Sequence, residues 1–338
     1  MYKLLLNDMI HSDQLNIEAL KSVFEFPEKY NSDQFAVLAG LLTKQLQNSE
    51  DLTRFIEFSL STVNLEVNLK GIDVCGTGGS GIDRINTSTL VAFILSSLGY
   101  PILKHGNRAG GGRFGSFDLI EALGIEVEQN QFQLEQTMKE CNISLIYAPS
   151  FFPFLKHFAP ARKSMEVASV FNIIGPLLNP FKPNIQLIGT PFKHYANLMY
   201  RTAKNLGRQS VYIYGGEDRL DDVTLSSDTF LLDSSGMQTI SPELFGLKKH
   251  SLKTISAKSN VEKISIAKNI ISGTCTSEHY KFVAMNVAFI LRQLDSEIEY
   301  KDAFNYVDDH IKSGKVEIHK ERYISVLNDN KQKRSASA

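Results

Sequence analysis

The hydrophobic pattern of the first 65 residues predicts helices. Apolar side chains recur at intervals of three and four residues, as on one face of a helix, most clearly at Phe35, Leu38, Leu42 and Leu46. Ser32 and Asp33 are expected to cap this helix, and Ser49 is expected to cap the next one, which runs to Leu60. Helices this short are stable only when they pack against other apolar surface. The segment is therefore predicted to be a small helical unit that packs against the rest of the chain or against a second copy.

From Gly71 onward, short β-branched apolar runs alternate with helical stretches. The predicted strands are residues 72–75, 101–104, 144–148, 185–188 and 210–214. The predicted helices include residues 87–98, 117–123, 195–206 and 281–294. Alternation of this kind is typical of a mainly parallel sheet flanked by helices. The pattern predicts an α/β protein, with a small all-helical part followed by a larger part that contains the sheet.

Two segments depart from this alternation. Residues 230–232 and 238–240 alternate apolar and polar side chains and are joined by Ser234-Ser235-Gly236, which predicts a β-hairpin added to the sheet. Residues 330–338 are polar and are expected to form a frayed tail.

Composition and charge exclude several classes of protein. The 338 residues are 43% hydrophobic and 22% charged, which is enough for two domains with a substantial core. The 36 Lys and Arg residues nearly balance 37 Asp and Glu residues, for a net charge of −1. This balance argues against a surface built for nucleic acid or for an anionic membrane.

The sequence also predicts a cytoplasmic location. No apolar run reaches the roughly 18 residues of a membrane-spanning helix, and the apolar stretch at residues 4–6 is too short for a signal peptide. Cys75, Cys141 and Cys275 are few and irregularly spaced, which fits a reducing compartment and argues against a zinc site.

The most informative segment is a glycine-rich loop between a predicted strand and a predicted helix. It reads Gly76-Thr77-Gly78-Gly79-Ser80-Gly81, and the helix after it begins with Asn86-Thr87-Ser88-Thr89. Glycines let backbone N–H groups approach an anion closely, and the helix N-terminus and hydroxyl groups add further donors. We interpret the loop as a phosphate cradle. The alternative is a glycine-rich turn that only packs the strand against the helix.

The residues after the next predicted strand restrict the class of ligand that the loop could bind. Gly76-x-Gly78-x-x-Gly81 fits the dinucleotide fingerprint, but that site needs an acidic residue at the end of the next strand. The next strand instead ends in Lys104-His105-Gly106-Asn107-Arg108, whose cations suit phosphate oxygens. No Gly-Lys-Ser/Thr is present, which excludes a Walker-type loop. The ligand is predicted to be richer in phosphate than NAD.

A second glycine-rich loop follows at residues 109–116 and again leads into a helix. Two such loops at the same ends of adjacent parallel strands face one crevice. Arg113 and Ser116 lie on the second loop, which we expect to close over a pyrophosphate and exclude water.

These motifs and several later ones occur in the order known from one enzyme family. They comprise Gly76-Thr77-Gly78-Gly79, Asn86-x-Ser88-Thr89, residues 104–109, Gly115-Ser116, residues 121–124, residues 171–180, Leu220-Asp221-Asp222 and residues 241–247. In this combination the sequence resembles the anthranilate phosphoribosyltransferases over nearly its whole length. The resemblance implies Mg²⁺-dependent transfer of the 5-phosphoribosyl group from 5-phosphoribosyl-1-pyrophosphate (PRPP) to the amino group of anthranilate, with release of pyrophosphate, in tryptophan biosynthesis.

The resemblance also implies roles for individual residues. The expected contacts of PRPP are Gly76, Gly78, Gly79, Asn86, Ser88, Thr89, Lys104 and Ser116. The expected contacts of anthranilate are Gly76, Asn107 and Arg162. The expected ligands of Mg²⁺ are Ser88, Asp221 and Asp222. None of the matching residues is a general base, so catalysis is expected to depend on positioning and electrostatics, and the proton acceptor is left unassigned.

The resemblance implies two domains and a homodimer. The helical domain would comprise residues 1–66 and about 158–182, and the α/β domain residues 67–157 and 183–330, followed by a flexible tail at 331–338. PRPP and anthranilate would bind in the crevice between the domains. The dimer would form through the helical domain, and neither nucleic acid nor a membrane is an expected partner.

Four departures from the family pattern concern the substrate sites. Ser80 stands where the family usually has Asp, and Gly110–Gly112 replaces a stretch that usually contains serine. Phe152 stands in place of a His and is expected to stack on the aromatic substrate. Ala168 replaces a familiar Arg. These changes bear on the choice of acceptor more than on the phosphoribosyl half.

Two alternatives stay open at this point. A phosphorylase of pyrimidine nucleosides would share the fold but would lack Asn107 and Arg162 in these contexts. A non-catalytic, nucleic-acid-binding relative would be basic and would lose the Asp221–Asp222 pair or the glycine loop, whereas this chain has a net charge of −1 and keeps both.

Overall fold

The computed structural model describes residues 2–12, 15–108, 114–165 and 169–335. Its N-terminal part consists of helices, as the hydrophobic pattern predicts. These are α1 (Tyr2–His11), α2 (Ile17–Glu25), α3 (Ser32–Gln45) and α4 (Ser49–Ser61).

The predicted caps of α3 and α4 are wrong by one residue. Asn31, not Ser32 or Asp33, caps α3, because its side chain accepts a hydrogen bond from the backbone N–H of Gln34 at 2.9 Å. Asn48, not Ser49, caps α4 in the same way. The capping residue must have extended backbone and an oxygen that reaches the N–H three residues on, which both asparagines provide.

A seven-stranded sheet is formed by the described residues of the larger part. Its strands are β1 (Ile72–Gly76), β2 (Ile102–Gly106), β3 (Ile143–Tyr147), β4 (Ile185–Gly189), β5 (Ser210–Gly216), β6 (Thr229–Asp233) and β7 (Gly236–Ile240). They lie in the order β3-β2-β1-β4-β5-β6-β7. The first five run parallel and the β6–β7 hairpin is antiparallel. The predicted α/β class, the mainly parallel sheet and the added hairpin are confirmed.

The remaining helices connect and cover the strands. They are α5 (Thr87–Ser97), α6 (Ser116–Ala122), α7 (Gln131–Cys141), α8 (Ala148–Phe151), α9 (Ala159–Met165), α10 (Val170–Leu177), α11 (Ala196–Asn205), α12 (Asn260–Ile271), α13 (Glu278–Leu294), α14 (Tyr300–Lys312) and α15 (Lys315–Ser335). The last helix continues to Ser335, into the segment for which the sequence predicts a frayed tail, and that expectation stays a prediction. No helix in the described part of the chain is long and apolar enough to cross a membrane.

Two large apolar clusters flank the sheet. One contains α5 and the almost fully buried helix α13. The other contains the N-terminal helices, α10 and α11 together with strand residues such as Ile188 and Ile213. Because helices and strands share this second cluster, the N-terminal helices find the partner surface that their shortness demands within the same chain. Helix α9 contacts α3, and α10 contacts α3 and α4, while the division into two domains stays a prediction.

The strand order fixes where a ligand can bind. The chain runs outward from β1 to β2 and β3, and then returns to place β4 on the other side of β1. Open α/β sheets bind ligands at such a reversal, outside the carboxyl ends of the two central strands. Here those ends are Gly76 of β1, where the glycine loop begins, and Gly189 of β4.

Candidate active site

The glycine loop and the acidic pair meet at this reversal point. The backbone N–H of Gly78 donates a hydrogen bond of 2.9 Å to Oδ2 of Asp221, although 143 residues separate them. The close approach depends on Gly76, because a Cβ atom at this position would lie 2.6 Å from the same oxygen. Gly78 and Gly79 have φ angles of +64° and +86°, which L side chains rarely adopt.

Arg84, which the sequence analysis does not single out, binds both members of the acidic pair. Its Nη2 atom lies 2.6 Å from Oδ1 of Asp221 and also forms an ion pair with Oδ2 of Asp222. Its Nη1 atom donates a hydrogen bond of 3.1 Å to the carbonyl oxygen of Ile85. No spacing rule connects residues so far apart in the chain; the only signal is an arginine between the glycine loop and the helix that follows it.

Burial dominates the electrostatics of the acidic pair. Asp221 is 8% exposed and Asp222 is 5% exposed. Burial raises the pKa of Asp222 to about 7, despite the positive charge of Arg84, and the neighbouring charge of Asp221 acts in the same direction as burial. Two buried carboxylates with a single guanidinium leave a site that is deficient in positive charge.

The oxygen atoms of this site fit a hard divalent cation. Oδ2 of Asp222 is buried and, apart from its ion pair with Arg84, has no hydrogen-bond partner among the described residues. The side chain of Thr87, which precedes Ser88, lowers the pKa of the same carboxyl group, against the larger effect of burial. Carboxylate and hydroxyl oxygens are ligands that Mg²⁺ prefers. Asp221 and Asp222 therefore suit the metal that the sequence predicts, and the contact of Ser88 with this metal stays a prediction.

Hydrogen bonds also join the second loop to the first. The side-chain amide of Asn86 donates to the carbonyl oxygen of Gly115 at 2.8 Å. The hydroxyl of Ser116 donates to the carbonyl oxygen of Asn107 at 3.2 Å. The structure thus brings together three predicted ligand contacts from the two loops. Gly110–Gly112 and Arg113 lie outside the described residues.

Lys104 lies deeper than its place near a strand end suggests. It is 2% exposed, and its ammonium donates to the carbonyl oxygen of His105 at 3.1 Å. Burial lowers its pKa, and the opposing effects of Cys75 and Asp73 are smaller. Contact of Lys104 with PRPP stays a prediction, and it requires the ammonium to leave this hydrogen bond.

His105 links the sheet to α10 by hydrogen bonds. The sequence analysis does not identify this positioning role. Its Nδ1 atom lies 2.9 Å from Oδ2 of Asp73 in β1, and its Nε2 atom lies 2.9 Å from the carbonyl oxygen of Gly175 in α10. Gln186 of β4 donates to the same carboxylate at 2.9 Å. These bonds join β1, β2, β4 and α10 into one rigid support beneath the reversal point.

Helix α10 and the loop after β4 form a wall beside the glycine loop. A Cβ atom at Gly79 would lie 3.1 Å from the ring of Phe192 and 3.4 Å from the side-chain amide of Asn172. Arg162, at the end of α9, has its guanidinium 5.9 Å from the centre of the Phe171 ring. Contact of Arg162 with the acceptor stays a prediction.

One predicted feature of the acceptor side, the stacking of Phe152, comes out differently. Phe152 is 1% exposed and packs in the apolar cluster of the N-terminal helices, so the expected stacking on an aromatic substrate is wrong for this conformation. A ring in this cluster gains more from burial than from a half-exposed position at the crevice. Asn107 is exposed beside the second loop, as an acceptor contact requires. Ala168 lies outside the described residues.

Comparison with known proteins shows one enzyme family. The family model described as "Glycosyl transferase family, a/b domain" matches residues 68–317. An anthranilate phosphoribosyltransferase from Dictyoglomus turgidum is 32% identical over 325 residues, which cover 94% of this chain and 96% of the relative. The enzyme of that name from Helicobacter pylori is 30% identical over 331 residues, covering 95% of this chain and 98% of the relative.

Solved structures of similar fold carry the same name. The anthranilate phosphoribosyltransferase of Thermus thermophilus superposes with a TM-score of 0.83 at 24% identity, covering 96% of this chain and 99% of that one. The Saccharomyces cerevisiae protein in complex with PRPP and Mg superposes with a TM-score of 0.80 at 24% identity, covering 97% of this chain and 92% of that one.

Proposed function

The chain belongs to the anthranilate phosphoribosyltransferase family, and we infer that it transfers the 5-phosphoribosyl group of PRPP to the amino group of anthranilate in tryptophan biosynthesis. The products are N-(5-phosphoribosyl)anthranilate and pyrophosphate. The observation that carries this function is the hydrogen bond between Gly78 and Asp221, because it joins a phosphate-binding loop and a pair of metal-binding carboxylates in one site.

The donor site has to stabilise charge that separates during the reaction. When the bond between C1 of the ribose and the pyrophosphate oxygen breaks, C1 becomes oxocarbenium-like and the electron pair leaves with pyrophosphate. The N–H group of Gly79, the N-terminus of α5 and the side chains of Asn86, Thr89 and Ser116 would bind phosphate oxygens and orient the ribose. Asp221, Asp222 and Ser88 would hold Mg²⁺, which supplies positive charge to the departing pyrophosphate.

The acceptor would bind on the side of α9 and α10. A guanidinium presents two parallel donors that match a carboxylate, which suits Arg162 to the benzoate group of anthranilate. Asn107 and Gly76 would contact the same substrate near C1 of the ribose. The amine nitrogen would then attack C1 and lose a proton, for which no residue is assigned.

Assembly and location belong to the same proposal. A homodimer through the helical domain is supported by apolar side chains exposed on the N-terminal helices, including Leu4 (63% exposed), Ile10 (55%) and Val37 (50%). The free thiols of Cys75, Cys141 and Cys275 agree with a reducing, cytoplasmic environment. The net charge of −1 supports small-molecule substrates over nucleic acid.

The transfer is tested by the fluorescence of anthranilate. With purified protein and Mg²⁺, we expect the fluorescence to fall only after PRPP is added, and the loss to stop when EDTA is present. A parallel assay supplies pyrimidine nucleosides and phosphate, and we expect no release of base. Persistence of the anthranilate signal with fresh PRPP and Mg²⁺, or release of base in the parallel assay, would refute the proposed reaction.

Replacement of Arg162 tests the acceptor site. For Arg162→Ala we expect the KM for anthranilate to rise about 10- to 100-fold, the effect of losing a charge-assisted pair of hydrogen bonds, with little change in the KM for PRPP. Steady-state kinetics with each substrate varied in turn measures both values. Lys163→Ala, which removes an exposed positive charge from the same helix, is the matched control. A rise confined to the KM for PRPP would place Arg162 at the donor instead.

A further inference from the structure

Arg84 occupies the acidic pair at the position of the proposed metal. Its Nη2 atom forms ion pairs with Oδ1 of Asp221 and with Oδ2 of Asp222. Oδ2 of Asp221 already accepts a hydrogen bond from Gly78. A metal ion held by both carboxylates would share oxygens that Arg84 now contacts, so the guanidinium and the metal would compete for the acidic pair.

The backbone next to Arg84 is anchored, whereas its side chain is held mainly by the acidic pair. The carbonyl oxygen of Asp83 accepts a hydrogen bond from Ala257 at 3.2 Å, and the carboxylate of Asp83 pairs with Lys263. By contrast, Nε of Arg84 is buried and has no hydrogen-bond partner among the described residues. Rotation of the side chain therefore leaves the loop in place. Besides the bonds to the carboxylates, it gives up the hydrogen bonds of Nη1 to the carbonyl oxygen of Ile85 at 3.1 Å and to the hydroxyl of Thr87 at 3.4 Å.

Charge repulsion and hydrogen-bonding geometry indicate where the displaced guanidinium would bind. The two carboxylates carry two negative charges, whereas Arg84 and a divalent ion together carry three positive charges. The guanidinium and the metal ion would therefore repel each other at this distance. Arg84 stands two residues before Asn86 and three before α5, whose N-terminus faces the proposed phosphates of the donor. Phosphate oxygens match the guanidinium fork as well as carboxylates do.

We propose that Arg84 is an exchangeable counter-cation. It neutralises Asp221 and Asp222 in the ligand-free enzyme, yields their oxygens to the metal, and turns its guanidinium to a phosphate of the donor. This inference rests on the proposed function, because it takes the metal and the phosphorylated donor from it. Its consequence is that the free enzyme binds a divalent ion weakly, and that a protein without the guanidinium binds the ion more tightly but the donor less tightly.

The test measures metal binding without either substrate. Mn²⁺ is titrated into the full-length protein, and the free ion is followed by its electron paramagnetic resonance signal. We expect Arg84→Gln to bind Mn²⁺ at least about tenfold more tightly than the wild type. Arg84→Lys keeps the charge but not the fork, and should lie between the two. Lys193→Gln removes an exposed positive charge that pairs with Glu217, and should match the wild type.

A second readout follows the donor. At saturating Mg²⁺ we expect the KM for PRPP to rise about tenfold in Arg84→Gln, because a phosphate contact is lost. Equal Mn²⁺ affinity in the wild type and a folded Arg84→Gln overturns the inference, while the anthranilate assay still decides the transfer. If Arg84→Gln does not fold, an Arg84→Lys affinity no tighter than that of the wild type overturns it. Absence of Mn²⁺ binding in all these proteins overturns both the inference and the metal assignment.

Discussion

Replacement of both aspartates, Asp221→Asn with Asp222→Asn, is expected to lower kcat/KM for phosphoribosyl transfer by about a thousandfold or more. The amides keep the shape of the side chains but remove both negative charges, and with them the affinity for the metal that stabilises the departing pyrophosphate. The measurement is the anthranilate fluorescence assay at several Mg²⁺ concentrations. Turnover near that of the wild type in the folded double variant would remove the metal role from this pair.

Two further variants make this result interpretable. The double substitution leaves the buried Arg84 without a carboxylate partner, which is itself destabilising by about 3–5 kcal/mol. The single variant Asp222→Asn keeps one carboxylate for Arg84, and we expect it to fold and still to lose about a hundredfold in kcat/KM. Asp228→Asn alters an exposed carboxylate that pairs with Lys249, and its activity should be unchanged. Thermal melts of all variants separate loss of fold from loss of function.

The second large effect is expected at Gly189, the last residue of β4. A methyl group at this position would overlap the backbone carbonyl oxygen of Asp221, so either β4 or the acidic loop has to shift. For Gly189→Ala we expect a loss of about 3 kcal/mol in the free energy of unfolding. We also expect about a hundredfold loss in kcat/KM, because a displacement of about 1 Å in a catalytic group has an effect of this size.

A glycine with open space around it serves as the control. Nothing lies within 4 Å of a Cβ atom at Gly40, which is in the exposed part of α3. Gly40→Ala is therefore expected to stabilise the protein by about 1 kcal/mol, the difference in helix propensity, with no effect on activity. Urea denaturation and the transfer assay measure both quantities. A Gly189→Ala protein as stable and active as the wild type would mean that the strand end and Asp221 are not in close contact.

The sequence was sufficient to predict the parallel strands, since each is a short β-branched run that ends at a glycine or a polar turn. The ends of helices were less predictable. In α3 and α4 a polar residue suited to capping stands on both sides of the true boundary, and only the backbone conformation at Asn31 and Asn48 decides between them. The position of the cap depends on the tertiary packing of the helix, and the local sequence carries no information about that packing.

The residues of the site could be predicted only where they belong to a motif that is contiguous in the sequence. The glycine loop and the two aspartates are recognisable segments, but Arg84 joins them across 137 residues of chain, and nothing in the spacing indicates this contact. The depth of Lys104 was also not predictable. Its position near a strand end suggested an exposed ammonium, whereas the parallel register of β2 with β1 and β3 places the side chain in the interior.

The apolar cluster shared by the N-terminal helices and the sheet limits how this protein can be divided. Helix α11 lies between β5 and α4, and the side chain of Asn205 donates to the hydroxyl of Thr53 at 3.3 Å. A fragment that starts at residue 67 would bare the apolar faces of α10 and α11 to water. Such a fragment should aggregate rather than behave as an autonomous sugar-phosphate-binding module, so any chimera that exchanges the acceptor side must exchange α1–α4 together with α9 and α10.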